Sequence, residues 1–113
     1  MKILDSPVTA AELKKVAVDT FGDLVKAVVD VKRELVAVDA ELHADLEALL
    51  LENGSKQKDL WGINFYPDLE GGDFIEFDSM INLRPSQGNM SRSVDSEEIK
   101  KAIINVVNKW VRR

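Results

Sequence analysis

The stretch DLVKAVVDVKRELVAVDAEL, residues 23–42, decides the fold. Spaced as heptads, Leu24, Val28, Val31, Leu35, Val38, Leu42, Leu46 and Leu49 draw the seam of one long amphipathic helix. Spaced by twos, Val25, Ala27, Val29 and Val31 share one face, and Leu24, Lys26, Val28 and Asp30 the other. Val36, Val38 and Ala40 alternate in the same way with Leu35, Ala37 and Asp39. A β-branched side chain is stiff in a helix and packs well on a pleated surface. The valine-rich run therefore predicts two strands joined at Lys32-Arg33-Glu34, although that turn lacks the glycine or asparagine a tight hairpin favours.

On the N-terminal side, Ile3 and Leu4 mark a short first strand or an ordered tail, broken by Asp5-Ser6-Pro7. Thr9 and Glu12 have capping-box spacing, and Val8 can staple onto Leu13. Leu13, Val16, Ala17, Thr20 and Phe21 then recur at helical spacing up to Gly22, which predicts a helix over 10–21.

On the C-terminal side, residues 41–54 fit both periods. Glu41, His43, Asp45 and Glu47 alternate with Leu42, Ala44, Leu46 and Ala48, yet Leu42, Leu46, Leu49 and Leu50 fit a helix. The Ala, Leu and Glu content and the Asn53-Gly54 stop predict a short helix from about Ala44 to Asn53. Strands follow over Leu60–Tyr66 and Asp73–Leu83. In the second, Ile75, Phe77, Ser79, Ile81 and Leu83 form the core face, and Phe74, Glu76, Asp78, Met80 and Asn82 face outward. A last helix begins with Asp95 as N-cap and Glu98 at N3, and it carries the stripe Ile99, Ala102, Ile103, Val106, Val107 and Trp110. Together these elements predict one α+β domain over residues 1–113. Its mainly antiparallel sheet has four or five strands with three helices, in the order (β)αββαββα.

Composition narrows the function classes. The chain has 113 residues, 45% of them hydrophobic, which suffices for a core. It has no cysteine, which excludes disulfides, thiol nucleophiles and thiolate metal sites. With 20 acidic against 15 basic residues the net charge is −5, an unfavourable field for nucleic acid or an anionic membrane surface. No apolar run reaches membrane-span length and no secretory leader is visible, so a cytoplasmic location is expected.

The segments FGDLVKAVVD (21–30), ELHAD (41–45), LLLENGSKQ (49–57), LWGINFYP (60–67) and DSMINLRPSQGN (78–89) carry a resemblance. They resemble a small prokaryotic family known as a domain of unknown function, along nearly the whole chain. The resemblance implies no activity and assigns no residue a role.

Two polar constellations stand out. On a strand, His43, Asp45 and Glu47 would project from one face as a metal-ligating set. On a helix only His43 and Glu47 share a face, and Asp45 becomes a first-turn residue favoured by the dipole. His43 with Glu47 would also suit base catalysis. The bland alternative is a solvated acidic face. Arg84, leaving a strand ahead of Ser86, Gln87, Gly88 and Asn89, has the chemistry of a carboxylate or phosphate clamp, with surface ion pairing as its alternative. Asn64 on a strand is unusual and either bonds a loop or lines a pocket. Trp61 either packs in the core or stacks on a ligand. No motif names a cofactor. The leading expectation is a site for a small anionic ligand, with or without a metal, within residues 41–91. Self-association into a homo-oligomer or another protein contact is the alternative, and RNA binding through Lys109, Arg112 and Arg113 is weaker.

Overall fold

A computed structural model describes residues 1–113. Residues 23–42 form the hairpin: β3 (Val25–Asp30) and β4 (Leu35–Val38) pair antiparallel with Ala27 opposite Val38 and Asp30 opposite Leu35. The turn is stabilised from an unexpected place. Asp30, fully buried, accepts bonds from the Lys32 and Arg33 N–H groups through Oδ1, each at 2.9 Å, so the aspartate that ends β3 does the work of an Asn-Gly turn. Glu34 closes it in the left-handed region, with φ 56°.

The remaining strands are β1 (Lys2–Ile3), β2 (Val8–Thr9), β5 (Leu60–Phe65), β6 (Ile75–Glu76) and β7 (Val111–Arg112). The main sheet has the order β1-β4-β3-β5-β6, every neighbour antiparallel. β2 and β7 make a separate parallel pair. Helices α1 (Ala10–Asp19) and α3 (Glu97–Trp110) cover one sheet face, and α2 (His43–Glu52) covers the other. Strand alternation divides the core accordingly. Val25, Ala27, Val29, Trp61, Ile63 and Phe65 pack with Leu13, Ala17, Ile103 and Val107, while Val28, Ala37 and Leu60 pack with Leu46 and Leu50. The architecture is α+β, with three helices and a five-stranded antiparallel sheet. No helix is long and apolar enough to cross a membrane.

The capping box forms: Thr9 Oγ1 accepts from Glu12 N–H at 3.1 Å, and Glu12 accepts from Thr9 N–H at 3.2 Å. Other boundaries move. α1 ends at Asp19, and α3 is capped by Ser96, which accepts from Ile99 N–H. Asp95 instead accepts from Met90 N–H and Ser91 Oγ, closing the preceding loop.

The largest correction concerns residues 73–83. Only Ile75–Glu76 is strand; Gly71–Phe74 and Met80–Asn82 are 3-10 turns. Phe74 and Asn82, expected outside, are buried, and Leu83, expected in the core, is 42% exposed. The cause is side-chain competition for the backbone of β5. Asn82 Oδ1 accepts from Gly62 N–H at 2.8 Å and Asn82 Nδ2 donates to Gly62 O at 2.9 Å, so one amide stands in for a strand residue. Close approach there requires glycine: a Cβ on Gly62 would lie 2.5 Å from Ser79 Cβ.

Candidate functional site

Beyond the end of α2 the sheet carries a polar row on the α2 face. Lys26 on β3 pairs across to Asn64 on β5, which pairs across to Glu76 on β6. The row floors a cleft of about 460 Å³, walled by Leu42, His43 and Ala44 from the start of α2 and by Asp78–Ile81 with Arg92 from the irregular segment. Leu42 and Met80 stand exposed at its lips.

His43 is the first residue of α2 and is 8% exposed. Its Nε2 lies 2.8 Å from Ile63 O, and because a carbonyl only accepts, Nε2 carries the proton and Nδ1 keeps the lone pair. Burial pushes the imidazole pKa below its ordinary 6.5, and Lys26 adds to this; the Ile63 carbonyl, the Asp78 carboxylate and the Asn64 amide oppose it. The ring is therefore neutral at neutral pH. The N-cap Leu42 has no side chain able to accept, so the His43 and Ala44 N–H groups have no acceptor, while Asp45 N–H turns back to Leu42 O at 3.2 Å. Lys26 makes no ion pair, and its Nζ lies 5.0 Å from the Phe21 ring centroid.

The acceptors of the cleft are partly engaged. Glu76 Oε1 receives Asn64 Nδ2 at 2.8 Å and Tyr66 Oη at 3.2 Å. Partial burial and the charge of Glu76 push the Tyr66 hydroxyl pKa up. Asp78 Oδ1 receives Arg92 Nε at 2.8 Å. Asn64 is 5% exposed, and its Oδ1 is buried without a partner.

The residues singled out from sequence separate into groups. His43 and Asn64 meet at the cleft. Residues 43–52 are helix, so Glu47 shares a face with His43 and Asp45 stays exposed in the first turn. The structure does not bring His43, Asp45 and Glu47 together as a set, and no three His, Asp or Glu side chains gather closely enough to hold an ion. Glu47 is half-buried, with Oε2 unpartnered, and its charge acts on Arg84.

Arg84, Gln87 and Asn89 lie outside the cleft lining. Arg84 donates through Nη1 to Gln57 O and through Nη2 to Leu60 O at 2.7 Å, continuing the edge cover that Asn82 begins. Its guanidinium stacks 4.1 Å above the Trp61 ring, and Trp61 is itself core. Burial lowers the Arg84 pKa, and Glu47 opposes that shift. Gln87 donates to Lys58 O at 3.3 Å. Asn89 ties a loop knot, donating to Asn82 O, Ser91 O and Ser93 O and accepting from Asp95 N–H. Lys26, Tyr66, Glu76, Asp78 and Arg92 were not foreseen as cleft residues. The available signal was Lys26, a charge within a valine strand, in register with Asn64 once the hairpin is set.

These features define an α+β domain with an antiparallel sheet and a polar cleft at the N-terminal end of its isolated helix. The chain belongs to the family described as protein of unknown function (DUF5674), whose model matches residues 2–110. No curated protein and no solved structure matches the chain.

Proposed function

We propose that the protein binds a small anionic ligand in the cleft at the start of α2. One observation carries this reading: three donors without acceptors, the His43 and Ala44 N–H groups and Lys26 Nζ, border the same recess. A helix N-terminus presents partial positive charge, and a nearby ammonium adds to it. Leu42 and Met80 at the lips suit an apolar portion of the ligand. The anion site expected at Arg84, Gln87 and Asn89 is not retained, because carbonyls of the chain already occupy the Arg84 Nη atoms, the Gln87 amide and the Asn89 amide. The reading is one of binding, with His43 Nδ1 as an acceptor. Calorimetric titration with acetate and with inorganic phosphate tests it. Replacing Lys26→Gln should weaken binding about fivefold to tenfold, the scale of one partly exposed charge-assisted bond. Unchanged affinity in that variant would remove Lys26 from the site.

A further inference from the structure

We infer that the ligand of this cleft is a small zwitterion, carrying a protonated amine beside its carboxylate or phosphate; the inference rests on the anion-binding reading above. The first ground is charge balance. Two cations, Lys26 and Arg92, and two carboxylates, Glu76 and Asp78, line the same recess. Arg92 pairs through Nε with Asp78, so the cation without an ionic partner is Lys26 and the carboxylate without one is Glu76. A ligand with only negative charge would gain at Lys26 and lose at Glu76, because like charges in one site repel.

The second ground is the arrangement of that charge. Lys26, Asn64 and Glu76 are cross-strand neighbours in one row, so the positive and negative ends sit two strand spacings apart, about 10 Å between Cα atoms. Asn64 lies between them. Its Nδ2 is used on Glu76 Oε1 and on Asp78 O, which leaves Oδ1 as a buried acceptor without a donor. An unpaired buried acceptor is costly, and the N–H groups of an ammonium are the donors that relieve it. His43 contributes in the same sense: it is neutral, its N–H is held by Ile63 O, and what remains is the Nδ1 lone pair. All the protein's bonds to the Glu76 carboxylate fall on Oε1, leaving Oε2 for the amine. The recess thus has donors at the α2 start and at Lys26, and acceptors at Glu76, Asn64 and His43.

The test is NMR titration of the full chain with glycine, β-alanine and γ-aminobutyrate, each beside the carboxylate of equal chain length that lacks the amine. At least one amino acid should bind about tenfold or more tightly than its amine-free partner, shifting the amides of His43, Ala44, Asn64 and Glu76 together. Glu76→Gln, which keeps an acceptor for Tyr66 and Asn64, should erase that preference, weakening the amino acid and, with the like charge removed, tightening the amine-free carboxylate. Equal binding of each pair, with shifts confined to His43 and Ala44, would overturn the zwitterion and leave the anion site standing. No shift at the cleft with any probe would overturn both.

Discussion

Asn82→Ala probes how the cleft wall is built. Asn82 is fully buried, accepts from Gly62 N–H at 2.8 Å, and donates to Gly62 O at 2.9 Å and Arg92 O at 3.0 Å. Each such bond contributes about 1 kcal/mol net, and stranding the Gly62 N–H in a buried strand adds about 1 kcal/mol or more. The expected loss is therefore about 3–5 kcal/mol, a large part of the total stability of about 5–15 kcal/mol usual for a domain. Urea unfolding followed by Trp61 and Trp110 fluorescence measures it. Asn82→Asp separates the two halves of the amide. It keeps the acceptor for Gly62 N–H but sets a carboxylate oxygen against two carbonyls, so its stability should fall as pH rises through the raised carboxyl pKa. A loss below about 1 kcal/mol for Asn82→Ala would refute the idea that this side chain replaces a strand along β5.

Arg84→Lys should cost about 2–4 kcal/mol, because one ammonium cannot hold the Gln57 and Leu60 carbonyls while stacking on Trp61; it should leave ligand affinity at the cleft unchanged. Gly62→Ala should destabilise by about 1–3 kcal/mol in a thermal melt, since the new methyl meets Ser79 Cβ at 2.5 Å. The His43 pKa lies below 6.5 in the folded chain, so as pH falls the unfolded state takes up the proton first. Stability should be full above pH 6.5 and decline below it, and His43→Gln should flatten that decline in urea titrations across the acid range.

The hairpin and helix elements were readable because valine-rich alternation and capping pairs act locally. Val25–Asp30 and Leu35–Val38 follow from β-branching, and Thr9 with Glu12 announces α1 without tertiary help. Residues 73–83 misled for a physical reason. Their alternation is a true strand period, but Ser79 and Asn82 carry side chains that bond backbone groups, and period alone cannot weigh that competition. The same blindness affects the site. Arg84 and Asn89 have ligand-binding chemistry, yet the Arg84 Nη groups and the Asn89 Nδ2 group are taken by carbonyls that come near only in the folded chain. The cleft row of Lys26, Asn64 and Glu76 draws on three separate strands, so no spacing in the sequence displays it.

An anion site at the start of α2 and one at the Arg84–Asn89 loop place the bound ligand at opposite ends of the polar segment 41–91. Backbone amide NMR during titration with inorganic phosphate decides between them. Saturable shifts at Lys26, His43, Ala44 and Asn64, lost in Lys26→Gln, are the predicted result. Saturable shifts centred on Arg84, Gln87, Gly88 and Asn89, with the α2 start unmoved, would contradict it.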